Sequence, residues 1–179
     1  VLGEAKTVDN VTGKPSAYPR LMRLSAGKTV CSYQKADGTP GNDPQAWDWD
    51  IKMRVLNADG SPSSAGEYSI AATTRREVQA RIAGSYSTGH GLAVWEDVDG
   101  SGEYDIMRAR FIANPSDGSI SFPPEDWMES ESNVKEWMPD VAYDHNARKY
   151  LVVYAREHSA GDNDILGKEV SLDGSTSSA

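Results

Sequence analysis

The sequence predicts an all-β protein of three short antiparallel sheets. Three observations predict it: a unit that recurs three times, alternation of apolar and polar residues inside each unit, and an Asp-Gly turn near each unit's end. The recurring stretches are YQKADGTPGNDPQAWDWDIKMRVLNADGS from Tyr33, VWEDVDGSGEYDIMRARFIANPSDGS from Val94 and VYAREHSAGDNDILGKEVSLDGS from Val153. Each holds an aromatic (Tyr33, Trp95, Tyr154), a polar loop and an Asp-Ile pair (Asp50-Ile51, Asp105-Ile106, Asp164-Ile165). An apolar residue follows (Leu56, Phe111, Val170), then Asp-Gly (Asp59-Gly60, Asp117-Gly118, Asp173-Gly174). The period is about 60 residues.

Four strands are expected per unit. The first lies around Leu21, Ile82 or Val141, in the matching runs YPRLMRL, QARIAGS and MPDVAYD. The second ends at the aromatic, as in GLAVW and YLVVY, short β-rich runs bounded by turn residues. The third opens with Asp-Ile; DIKMRVL and DIMRARF alternate as a half-buried strand should. The fourth follows Asp-Gly, whose residues tolerate the positive φ of a tight hairpin. No amphipathic helix is evident, and EDWMESESNVKEW reads as one helical turn or an extended loop.

At the ends, GEAKTV (Gly3 to Val8) precedes the first unit much as GEYSIA (Gly66 to Ala71) precedes the second. Residues 1–17 are therefore expected to hold a strand that completes a unit, followed by repeats over 18–77, 78–137 and 138–179. The third repeat is expected to stop short of a full fourth strand. Strand exchange, oligomerisation or further units of a larger protein would complete it, because open edge strands are a liability.

Composition narrows the partners. A chain of 179 residues is long enough to bury a core as one domain. Its apolar runs fall short of the ~18 residues of a membrane span, so no membrane insertion is expected. The start, VLGEAKTVDN, carries no signal-peptide pattern and reads as a trimmed form. A net charge of −9 disfavours nucleic acid and anionic membranes, and leaves divalent cations and neutral ligands such as glycans. The single cysteine, Cys31, excludes an internal disulfide and reads as a core residue. Abundant Ser, Thr, Gly and Asp suit a secreted bacterial protein, hence an extracellular or cell-surface location.

Four antiparallel strands per unit is also the pattern of a β-propeller blade. PDVAYDHNARKYLVVYAREHSAGDNDILGKEVSLDG resembles bacterial secreted propeller-type repeats of the form P-x-V-A…Y-L-V-V-W…D-I…V…D-G. That resemblance covers most of the chain and implies three four-stranded antiparallel propeller-like blades. It implies no single function, because such repeats carry many activities.

Within the second unit, DVDGSGEYDI resembles the calcium loop of FG-GAP (integrin-type) repeats. The resemblance implies side-chain oxygens from Asp97, Asp99, Ser101 and Asp105, the backbone carbonyl of Glu103, and Ca²⁺ as the cofactor. A polar turn is the competing reading, since Asp105 recurs as Asp50 and Asp164 and so serves the fold. Asp97 and Asp99 are peculiar to this unit. Asp48 with Asp50, and Asp162 with Asp164, are weaker cation candidates.

Trp47, Asp48, Trp49 and Asp50 form a candidate ligand site, in which an exposed indole stacks on a sugar and a carboxylate bonds its hydroxyls, as small multi-blade lectins do. Packing of both indoles is the competing reading, as it is for Trp127 and Trp137. His90 and His145 fall at hairpin tips, and no nucleophile elbow, phosphate loop or His-Glu metal pattern occurs. SLDGST departs from the sialidase Asp-box. The expected function is a non-enzymatic, extracellular structural or binding β-repeat protein, stabilised by calcium, that self-associates or binds at a cell surface. A carbohydrate-binding propeller lectin and a fragment of a secreted sialidase-like glycosidase are the alternatives.

Overall fold

The computed structural model describes residues 5–9, 12–37, 47–123, 134–159 and 161–178. Among them every regular element is a β-strand. Sheet 1 comprises β1 (Ser16–Arg23), β2 (Thr29–Ala36), β3 (Trp49–Leu56) and β4 (Tyr68–Ala71). Sheet 2 comprises β5 (Arg76–Gly84), β6 (His90–Val98), β7 (Tyr104–Ala113) and the two-residue β8 (Ile120–Ser121). Sheet 3 comprises β9 (Glu136–Asp144), β10 (Lys149–Ser159), β11 (Asp162–Ser171) and β12 (Thr176–Ser178). All three are antiparallel meanders, with neighbours in chain order.

The same irregularity opens each sheet. Between β1 and β2 the register jumps so that Tyr18 and Pro19 together oppose Tyr33. Gln79 and Ala80 oppose Trp95 in sheet 2, and Met138 and Pro139 oppose Tyr154 in sheet 3. Two residues against one is a β-bulge, and a proline is tolerated there because the bulge needs no ladder N–H. The first bulge residue is left-handed each time: Tyr18, Gln79 and Met138 have φ of 54°, 58° and 53°. A left-handed non-glycine residue costs about 1–2 kcal/mol, so something must hold it. A side chain from the preceding sheet holds two of them. The Gln79 N–H donates to Gln34 Oε1 (2.9 Å), and the Met138 N–H donates to Glu96 Oε1 (2.7 Å).

These latches accompany face-to-face stacking. β5 lies across β1, β2 and β3, and β9 lies across β5, β6 and β7. Strand alternation divides β6 between two cores. Ala93 and Trp95 join Met22, Leu24, Val30, Ile51, Met53 and Val55 between sheets 1 and 2. Leu92 and Val94 join Ile106, Tyr150, Val152, Tyr154 and Val170 between sheets 2 and 3. The middle sheet is thus buried on both faces.

The chain ends differ from expectation. Residues 5–9 form no strand; Val8 instead packs on Cys31, Tyr33 and Leu56 across the outer face of sheet 1. Lys35, which bonds Asp9 (3.1 Å) and Glu67 (2.9 Å), fixes that segment by an ion pair rather than a ladder. Ser16 and Ala17, expected in an N-terminal strand, open β1. Sheet 3 carries its own short fourth strand, β12, paired with β11. Residues 1–4, Trp127 and most of EDWMESESNVKEW lie outside the described residues.

Candidate functional site

The two sequence-predicted sites face one cleft. Its volume is about 520 Å³. Trp47 and Asp48 line it from the approach to β3, Arg75 and Arg76 from the start of β5, and Asp99, Ser101 and Tyr104 from the β6–β7 hairpin. Trp47 stacks at 5.3 Å, tilted by 36°, on Trp49, which is buried. Of the four residues Trp47 to Asp50, only Trp47 and Asp48 therefore reach the cleft.

The acidic loop is organised from within. Asp99 Oδ1 accepts hydrogen bonds from the Ser101 N–H (2.8 Å), the Ser101 hydroxyl (2.6 Å) and the Glu103 N–H (3.0 Å). These bonds close a tight turn and hold the Asp99 carboxyl below its usual range. Asp59 and Asp173 receive the same pair of bonds from Ser61 and Ser175 in their own turns. Asp97 is buried and turned toward Arg75, whose guanidinium lies 2.6 Å from Asp97 and 3.7 Å from Asp105. Burial pushes the Asp97 carboxyl up, against the pull of Arg75. Asp97, Asp99, Glu103 and Asp105 are thus spread over two arrangements, a turn and an ion pair.

Register shows what is unusual about Asp97. In line across the first three strands stand Ser16–Lys35–Asp50 in sheet 1 and Glu136–Arg156–Asp164 in sheet 3. A base occupies the centre in both. In sheet 2 the row is Glu77–Asp97–Asp105, three acids.

Glu77 is the residue that sequence reasoning missed. It is fully buried. Its Oε1 accepts from the Thr73 N–H (3.2 Å) and from the Thr73 hydroxyl, while its Oε2 has no partner. Burial pushes its carboxyl up to about 7. Ligand oxygens of Glu77, Asp48 and Asp50 lie within 4.8 Å of one another, the one such acidic group of three among the described residues. Lys52 lies 2.6 Å from Asp50 Oδ2, and Asp48 Oδ1 is buried without a partner. Glu77 and Glu136 each stand two residues before a bulge, a correspondence that only the strand register reveals. The weaker candidates Asp162 and Asp164 are exposed, with His158 3.9 Å from Asp164.

A second cleft of about 460 Å³ lies between sheets 2 and 3, lined by Glu96, Tyr104, Trp137, Met138 and Asn163 among others. No protein-family model matches the chain, and no curated protein matches its sequence.

Proposed function

We propose that the three sheets are successive propeller-like blades of an extracellular, non-enzymatic structural and binding module, and that it associates through the free faces of its terminal blades. One observation carries this reading. Among the described residues the exposed large apolar side chains are Leu21 and Tyr18 on sheet 1, Leu151 and Ile165 on sheet 3, Met138 at the cleft between sheets 2 and 3, and Tyr86 in a turn; Ile165 is 74% exposed. Sheet 2 exposes none on its strands, being covered on both sides. Apolar surface clustered on outer sheet faces favours burial against a partner. Light scattering and negative-stain imaging test it. Ordered assemblies are expected, dispersed by Leu151→Lys with Ile165→Lys; a monomer at every concentration would overturn the reading.

The cleft favours a second reading, a glycan-binding module. Trp47 and Tyr104 offer faces for a sugar ring, while Asp48 and Arg76 stand where hydroxyls would be bonded. Glycan-array binding abolished by Trp47→Ala is expected on that reading, and binding unaffected by it would remove it.

A further inference from the structure

We propose that Asp48, Asp50 and Glu77 form a binding site for a hard divalent cation, with calcium the best fit, joining the start of β3 in sheet 1 to β5 in sheet 2. Carboxylate oxygens suit calcium, which takes six to eight oxygens at about 2.3–2.6 Å, so that opposed ligands lie about 4.6–5.2 Å apart. The three carboxylates are already gathered within that span, at 4.8 Å or less. Asp48 and Asp50 stand two apart as the chain enters β3, and Glu77 arrives from the next sheet.

Gathered acids are not enough, and what points to a ligand is the unspent bonding capacity. Glu77 is 0% exposed, yet its Oε2 bonds nothing, and the buried Asp48 Oδ1 bonds nothing either. A buried unpaired carboxylate costs several kcal/mol unless a counter-charge reaches it. One counter-charge, Lys52, already stands at Asp50, but the charges nearby leave Glu77 Oε2 and Asp48 Oδ1 unanswered. Lys52 engages Asp50 and the Ser69 hydroxyl, and Arg75 engages Asp97. The register differs too: sheet 3 sets Arg156 across from the corresponding Glu136, whereas sheet 2 sets Asp97 across from Glu77. A bound cation would supply the missing positive charge. This site is distinct from the β6–β7 loop, where Asp99 Oδ1 is spent on its own turn. The alternative occupant is a proton shared between Glu77 and Asp48.

Terbium, a calcium mimic whose emission is sensitised by nearby indoles, reads the site through Trp47 and Trp49. Saturable emission displaced by calcium is expected. Glu77→Gln, and separately Asp48→Asn, should weaken terbium binding by about tenfold or more, a loss felt even when a group that only orients a ligand is removed. Asp99→Asn should leave it unchanged. Asp48 is only half-buried, so its variant serves if Glu77→Gln fails to fold by circular dichroism. Absence of saturable emission would overturn the proposal in favour of the shared proton. Binding unmoved by Glu77→Gln or Asp48→Asn, or lost on Asp99→Asn alone, would overturn it in favour of the loop.

Discussion

Gly91 shows how tightly single positions are set. A Cβ added there would stand 2.1 Å from Phe111 Cζ, and Phe111 belongs to the core between sheets 1 and 2. Gly91→Ala should therefore destabilise by about 1–3 kcal/mol, the usual cost of overpacking, and Phe111→Leu in the same chain should recover part of it in urea unfolding. Glu77 gives a prediction with a sign. Its folded value of about 7 exceeds the ordinary 4.5, so between those values the folded state holds more protons than the unfolded one. Stability in chelating buffer should accordingly fall as pH rises from 4.5 to about 7, and urea unfolding of Glu77→Gln should show a shallower fall. Asp48 and Asp97 are shifted upward too and keep part of the slope. Asp59, Asp99, Asp117, Asp144 and Asp173 are shifted downward, so the stability they lend is lost as pH falls below the ordinary carboxylate range near 3.8. At this scale the sequence exposed Asp97 as peculiar, because a repeat makes an exception visible. Glu77 stayed hidden because its neighbours come from another sheet, and no local pattern records that.

Among elements, the bulged first strands carry the most information. Their aromatic partners were conspicuous in the sequence as Tyr33, Trp95 and Tyr154, and the opposed bulges explain why each unit keeps a large ring there. The left-handed residues themselves were illegible, since Tyr18, Gln79 and Met138 are not residues that announce positive φ. Their geometry depends on acceptors supplied by a neighbouring sheet. Gln34→Ala and Glu96→Ala should each cost about 1 kcal/mol, the net worth of one part-buried hydrogen bond. Glu96→Gln keeps an acceptor oxygen and should cost less. Because the two latches sit in different inter-sheet seams, the double variant should be additive within about 0.5 kcal/mol by urea unfolding.

Over the whole molecule, the all-β class and the antiparallel meanders were legible, because alternation and Asp-Gly turns are local. The ends were not: Val8 and Asp9 are placed by side chains of sheet 1, and β12 is a short strand with few residues to signal it. Stability should also be uneven. The core between sheets 1 and 2 is the larger, and sheet 3 rests on the smaller one alone. Amides of β10 and β11 should therefore exchange by a partial opening of lower free energy than those of β2, β3 and β6. Hydrogen-exchange mass spectrometry distinguishes this from one global transition.

The latches also give the stack a direction. Gln34 and Glu96 reach forward to the next sheet, and the residue in the same register position of sheet 3 is Ala155, opposite Trp137. A methyl group accepts no hydrogen bond, so a further sheet with the same bulged entry would arrive with its left-handed amide unanswered. The outer face of sheet 3 therefore lacks the forward-reaching acceptor that sheets 1 and 2 carry at this position. For an engineer, Ala155→Glu is the substitution that would supply one.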